Sequence, residues 1–504
     1  MFDRVMDVYK GKHIFITGGT GFMGKVLIEK LLRSCPQISA IYLLVRAKRG
    51  KEPKQRLQDF IKTPLFAALQ NDPKSDELFG KLHCMEGDLM LENLNLSNDD
   101  YQLLCENVDV VFHMAANVRF DQPLKTALNL NTGGTLRCLQ MASNLRNLKA
   151  FVHVSTSYCH CDQTVLEEKV YKAPHDPRRM LDLVSWMDEE LIELLAPKLL
   201  QNSPNTYAYT KCLTEQLVSE YAKILPIAIA RPSIVTACFK DPIPGWVDNF
   251  NGPTGLLIGA GKGVIRTMHC DPNLPTDLIP VDMAINGLIL IAKELLENRP
   301  INQEPLVIHL TSGKDNQITW GDAVETGRKH FYENPFSVCL WYPGGSIKSN
   351  YILHMICVLL FHMIPAYFVD FILILTRGKP FLVRTQKRIQ SGLEILQYYT
   401  VRPWYFKNEG LKRLSGKLST KDRAEFYVDF FEIDWDKYIL NSVLGARLFC
   451  VKETIDTLPK ARKLLKRLYY LDMTKNFVLL ALVVWFLASW SSWIIKYTEL
   501  VNIF

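Results

Sequence analysis

The sequence predicts an α/β fold: a Rossmann-type, doubly wound parallel sheet, followed by a helical C-terminal domain and a C-terminal transmembrane helix. Three observations predict it. A glycine-rich turn, Thr17-Gly18-Gly19-Thr20-Gly21-Phe22-Met23-Gly24, lies between a short apolar strand and an amphipathic helix. Strand-like and helix-like segments alternate from Gly11 to about Val235, as in a parallel sheet covered by helices on both faces. An uncharged run of twenty residues, 476–495, is long enough to cross a bilayer. With 504 residues the chain exceeds one ordinary core, so more than one domain is expected.

The strands come in order. Ile14-Phe15-Ile16 marks the first, over residues 13–17, and Val26-Leu27-Ile28 with Leu31-Leu32 marks the helix after the turn. Further strands are expected at 40–45, 81–86, 108–113, 150–155 and 227–230. Residues 236–345 are richer in Pro and Gly and read as a substrate lobe inserted after late strands, within a dinucleotide-binding domain of residues 1–345. Inside the lobe, Ile279-Pro280-Val281-Asp282 reads as a strand end and helix cap, with a helix over 283–296. A helical domain is expected over 346–472, with apolar periodicity at 389–399 and 423–431.

Two segments speak of membranes. Residues 351–375 are apolar, but His354, His362, Pro365 and Asp370 interrupt them as a simple span. Two readings stand side by side: a bent helix pair packed in a core, or an apolar wall or membrane-surface element beside a lipid substrate. The tail, 473–504, is the stronger case. Its uncharged run carries Trp485, Trp490 and Trp493, and Lys460, Arg462, Lys463, Lys466, Arg467 and Lys475 precede it. Interfacial tryptophans and the basic flank predict a single-pass anchor with the large domain facing the cytosol.

Composition narrows the chemistry. A net charge of +7 is mild and suits an anionic cofactor, an anionic substrate or a membrane face. Basic residues form no stripe interleaved with aromatics, so no nucleic-acid partner is expected. Twelve cysteines follow no framework spacing, and Met1-Phe2-Asp3-Arg4-Val5-Met6 has no long apolar run, which predicts free thiols in a reducing compartment. Cys159-His160-Cys161 has no second pair at zinc spacing, and neighbours on a strand point to opposite faces, so no metal is expected.

The glycine turn predicts the cofactor cradle: Gly18, Thr20, Gly21, Phe22, Met23 and Gly24. Gly18 permits the tight turn, Gly21 the approach of a pyrophosphate, and Gly24 close packing of helix on strand. The second strand ends in Arg46-Ala47-Lys48-Arg49. Where an NAD site favours a carboxylate for the ribose 2′-hydroxyl, three cations favour the 2′-phosphate of NADPH. Asp88 and Leu89, after the third strand, are placed at the adenine, and Ala115 and Ala116 keep the fourth strand end small beside the cofactor.

Catalytic chemistry is read from Tyr207 and Lys211, four apart and so on one helical face. An ammonium near a phenol favours the phenolate, and a Tyr so tuned can protonate a carbonyl oxygen as hydride reaches the carbon. Tyr209 lacks such a partner, because position 213 is Leu. The hydroxyl cluster Ser155-Thr156-Ser157 stands at a strand end, where ligands of open α/β sheets bind.

These residues, with Val152-His153-Val154 before the hydroxyls, Arg231-Pro232-Ser233-Ile234-Val235 and Pro244-Gly245-Trp246-Val247-Asp248-Asn249, resemble the extended short-chain dehydrogenase/reductase superfamily. More narrowly, the chain resembles the eukaryotic fatty acyl-CoA reductases over essentially its whole length. The resemblance implies that Thr156, Tyr207 and Lys211 form the catalytic trio and that Lys211 also holds the cofactor ribose. The cluster is Ser-Thr-Ser where many relatives have Ser-Thr-Ala, which leaves Ser157 open as a neighbouring choice. The implied activity is reduction of long-chain fatty acyl-CoA to a primary alcohol with two NADPH, through a hemithioacetal that releases CoA and an aldehyde. The apolar tail fits insertion into the membrane of the endoplasmic reticulum or peroxisome. Rival readings are a membrane-bound steroid, sugar-nucleotide or other lipid dehydrogenase of the same fold, and a non-enzymatic membrane scaffold that keeps a nucleotide fold.

Overall fold

The structure, a computed structural model, describes residues 4–47, 50–298 and 303–501, with side chains as far as residue 490. Among the described residues, seven strands make the main sheet: β1 (His13–Thr17), β2 (Ala40–Val45), β3 (Leu82–Glu86), β4 (Val110–His113), β5 (Ala150–Val154), β6 (Ile227–Pro232) and β7 (Leu306–Leu310). Their order is β7-β6-β5-β4-β1-β2-β3, and every neighbouring pair is parallel. Every residue of β2, β4, β5 and β6 is buried, as both faces of a helix-covered parallel sheet require. The order reverses between β1 and β4, so a crevice opens beyond their carboxyl ends.

The six expected strands are present, with bounds shifted by at most two residues. β7 was not expected. It lies in the stretch read as substrate lobe, yet it pairs with β6 along its whole length. The helix before it, Val281–Asn298, covers the sheet: Leu288, Ile291 and Leu295 share one apolar core with Ile14 and Val152. Asp282 does not cap that helix as expected. Its carboxylate accepts from the Phe239, Lys240 and Asp241 amides and from the Tyr427 hydroxyl, and so pins the loop after β6.

The C-terminal helices are fastened to this core. Leu411, Leu414, Phe426, Tyr427, Phe430 and Tyr438 pack into the cluster that holds Ile14 and Leu288. The periodicity at 389–399 falls within a helix, Leu382–Thr400. That at 423–431 does not make one helix. Thr420–Glu425 stops at Phe426, and Phe426, Tyr427, Val428 and Phe430 are all buried, so the chain crosses the core in an irregular path with a short turn at Phe430–Glu432.

The segment Tyr351–Leu375 is helical throughout, with a π-helical turn at Leu359–Met363. Its polarity is inside out. His354 bonds Thr267, His362 accepts the Arg266 amide, and the Asp370 carboxylate accepts three amides at 381–383. Ile352, Phe368 and Leu375 instead face outward, each more than 60% exposed. The core-packed reading therefore fails: the apolar side is the outer one. The last helix, Leu458–Val501, likewise exposes Phe477 to Trp490. Both helices are long and apolar enough to cross a membrane.

Candidate active site

The glycine turn works by geometry that only glycine satisfies. Gly18 has φ +77°, and a Cβ there would stand 2.8 Å from the Ala115 nitrogen. At Gly24 a Cβ would meet the Gly18 oxygen, so the helix Phe22–Ser34 could not approach the turn. That helix begins at Gly21 without a side-chain cap, leaving its first amides directed at the crevice.

From this turn a cavity of about 1150 Å³ runs to the ends of β4 and β5. Its wall brings together Gly18, Thr20, Gly21, Phe22, Met23 and Gly24 with Arg46, Asp88, Leu89, Ala115, Ala116, Thr156, Tyr207 and Lys211. Lys48 and Arg49 lie outside the described residues.

Tyr207 and Lys211 ride on the helix Thr206–Tyr221, whose first turn is capped by Asn205 accepting the Ala208 amide. Thr156 faces Tyr207. Ser157 turns away and gives its hydroxyl to the Arg231 carbonyl at 2.7 Å, fully buried. Tyr209 is buried on the far side, bonded to His175. Burial raises the Tyr207 phenol above its ordinary range, with Cys159 adding to it and the Thr156 hydroxyl opposing it. The expected lowering by Lys211 is not present, because the Lys211 ammonium donates to the Val154 carbonyl at 2.6 Å.

Burial also pulls Lys211 down to about 8, against the attraction of Glu215 and Cys159. Its charge thus disappears as pH rises through about 8. Affinity for a nicotinamide dinucleotide and kcat/KM are expected to fall on that alkaline side. Lys211→Arg, which keeps its proton, should remove the alkaline limb; a limb unmoved in that variant would belong to another group. For folding the sign is opposite. Between about 8 and the ordinary 10.5 the unfolded chain holds more protons here, so this group's contribution to stability improves with pH.

Beneath Lys211 lies a buried polar cluster. Glu215 receives Arg231 Nε at 2.9 Å and Nη2 at 2.6 Å, and His160 Nε2 lies 3.1 Å from it. Burial pushes the His160 imidazole down, but Cys159 and Glu215 hold it up at about 10. Cys159, His160 and Glu215 converge closely enough to ligate an ion. Cys159-His160-Cys161 is not strand: the strand ends at Val154 and these residues lie in the loop beyond it, so alternation of faces does not keep Cys159 and His160 apart. The Arg231 guanidinium already supplies Glu215 with its cation.

Several wall residues escaped sequence reasoning. Arg56, on the helix Pro53–Ile61, donates to the Arg46 carbonyl and to Thr20 Oγ1, tying the second strand end to the glycine turn. Phe120 packs between Tyr207 and Tyr399 with its ring tilted 37° to each, and the Tyr399 hydroxyl accepts from Asn205 at 2.8 Å. Arg388 and Tyr399 come from Leu382–Thr400, so the C-terminal region roofs the catalytic cavity. The Asn205-Thr206-Tyr207 cap was readable as a helix start; the roof was not, because nothing local ties residue 399 to residue 207.

Comparison with known proteins agrees with this architecture. A family model described as male sterility protein, of an NAD-binding kind, matches residues 16–288, and a second of that description, termed Sterile, matches residues 361–453. Fatty acyl-CoA reductase 1 of Xenopus laevis is 38% identical, with 95% of this chain and 92% of the relative covered. Its namesake in Homo sapiens is 36% identical over the same shares. Among solved structures, the reductase domain of a Mycobacterium tuberculosis nonribosomal peptide synthetase superposes with a TM-score of 0.59 at 17% identity, covering 90% of this chain and 97% of that one. At that identity the likeness is one of fold.

Proposed function

The chain belongs to the fatty acyl-CoA reductase family, and from that premise we propose that it reduces long-chain fatty acyl-CoA to the primary alcohol with NADPH, by way of an aldehyde-level intermediate. It is an oxidoreductase with a nicotinamide-binding domain. The observation that carries the proposal is one cavity whose wall holds both the glycine turn and Thr156, Tyr207 and Lys211. The scaffold and steroid readings lose their footing against relatives that match along 95% of the chain.

The residues fit a dinucleotide. A Cβ at Gly18 or Gly24 would collide with the backbone around the turn, and Arg56 ties the Arg46 carbonyl to Thr20 Oγ1 with both arginines on the cavity wall. When bound, the nicotinamide supplies hydride. The protein supplies the rest. Thr156 and Tyr207 hold the reacting carbonyl oxygen, and Tyr207 gives it a proton. Burial makes this phenol a weaker acid than in water, so its proton delivery rests on its position beside the Thr156 hydroxyl, which opposes the rise, and not on a lowered pKa. Lys211 is placed to hold the ribose.

Incubation of the purified protein with NADPH and hexadecanoyl-CoA should yield hexadecanol and free CoA; absence of both products with folded protein would overturn the activity. Arg46→Asp combined with Arg56→Ala should weaken NADPH by about tenfold to a hundredfold and leave NADH little changed, since hydrogen bonds to charged groups are worth about 1.5–3 kcal/mol. An unchanged NADPH/NADH ratio would hand the phosphate to another residue.

Residues 473–504 are proposed as a single-pass anchor in endoplasmic reticulum or peroxisome, with residues 1–345 and 346–472 as cytosol-facing domains. Carbonate should leave the full chain in membranes and release a chain ending at Asp472. Equal release of the two would make the last helix a peripheral contact.

A further inference from the structure

We propose that a second, apolar cavity beside the catalytic one receives the hydrocarbon chain of the substrate, an inference that rests on the acyl-CoA reading above. The cavity has a volume of about 230 Å³. It lies between the helices Gly252–Gly261, Trp320–Glu333 and Trp435–Gly445 and the strand Thr267–His269. Pro253, Leu256, Met268 and Trp320 border both cavities. The partition between them is therefore made of side chains, and a chain whose carbonyl sits at Thr156 and Tyr207 has this space as its continuation.

What the wall does with its polar groups decides the ligand. Thr236 bonds the Tyr438 hydroxyl at 2.7 Å, and Ser442 donates to the Tyr438 carbonyl. Thr267 is paired with His354, and Arg328 donates to the Gly345 carbonyl at 2.7 Å. These groups are satisfied within the protein. The rest of the wall is mostly carbon, from Val247, Leu256, Leu257, Ile265, Leu278 and Phe331, so a polar ligand entering here would lose water and gain few partners, whereas methylenes lose nothing. The far wall has a meaning as well. Arg266, which lines the cavity, bonds His362 through its amide and stacks on the Phe361 ring at 5.5 Å. The cavity thus abuts the inside-out helix Tyr351–Leu375, and its contents lie next to the surface most suited to lipid.

Gly327 is the place to test it. It lines the cavity from the helix Trp320–Glu333, and a Cβ there would meet only Ile439 at 3.8 Å and Leu257 at 4.0 Å, ordinary contacts. Gly327→Leu then puts side-chain volume into the cavity from a helix in which Leu has the better propensity, and Gly327→Ala adds only the Cβ that the space accepts. The measured quantity is the ratio of kcat/KM for hexadecanoyl-CoA to that for octanoyl-CoA. A blocked chain site should lower this ratio by about tenfold or more, the scale on which hydrophobic pockets discriminate single methylenes. Gly327→Ala should lower it less, and it serves as the reading if the Leu variant fails to bind NADPH. A ratio unchanged in both variants, with NADPH binding intact, places the acyl chain elsewhere and leaves the reductase assignment standing. A wild-type protein that reduces neither substrate overturns the reductase assignment itself.

Discussion

Tyr207→Phe is expected to lower turnover of both acyl-CoA and aldehyde by about 10²–10⁴-fold, with NADPH binding preserved. The size follows from what the substitution removes. The ring of Tyr207 packs on Phe120 with centroids 5.7 Å apart, and that contact survives in Phe. The hydroxyl faces Thr156 in the cavity, and it is the proton lost. Two nearby phenols are poor substitutes. Tyr209 is bonded to His175 outside the cavity, and Tyr399 is engaged by Asn205. Thr156 has a hydroxyl but far too high a pKa to replace a phenol as acid. Single-turnover reduction with a separate titration of NADPH distinguishes the outcomes. Turnover within a few-fold of wild type would move proton delivery to Tyr158, which also lines the cavity, or to water. Loss of NADPH affinity together with rate would show that the side chain places the cofactor rather than the proton.

Sequence reached the features whose physics is local. Gly18 is legible because a left-handed turn between strand and helix admits little else, and the structure adds only the neighbour, Ala115, that enforces it. Tyr207 and Lys211 are legible because four residues is one helical turn. The chemistry assigned to that spacing was less secure. A shared face did not bring the ammonium to the phenol, since the Val154 carbonyl claimed it. Other features depend on distant chain segments. Leu306–Leu310, four apolar residues and a histidine, became a sheet strand because β6 offered an open edge. Arg388 and Tyr399 reached the active site because Leu382–Thr400 folds back across two hundred residues. In Tyr351–Leu375 the polar residues looked like interruptions of a membrane segment. Their burial against Arg266, Thr267 and the amides at 381–383 shows that they fasten the helix to the protein and leave its apolar side outermost.

Glu215→Ala is the substitution expected to cost most in stability, about 3–5 kcal/mol, the range for breaking one partner of a buried pair. Glu215 and Arg231 are both fully buried, and the guanidinium meets the carboxylate through two nitrogens. Arg231 also donates to the carbonyls of Glu167 and Lys169 and pairs with His309, so it cannot leave for water when its anion is removed. His160, held up by Cys159 and by the same carboxylate against its burial, would lose the second of these supports. The damage reaches the active site by charge. Glu215 opposes the burial that lowers Lys211. Without it the Lys211 ammonium should titrate lower still, and the alkaline limb of activity should move below about pH 8. Glu215→Leu with Arg231→Met tests the partition, since an apolar pair of similar volume removes both charges together and should recover much of the lost stability. Denaturant midpoints measured in detergent for wild type, Glu215→Ala and the double variant give the three values needed. A single variant as stable as wild type would mean that Arg231 is satisfied by its carbonyls alone, and that Glu215 serves Lys211 rather than the fold.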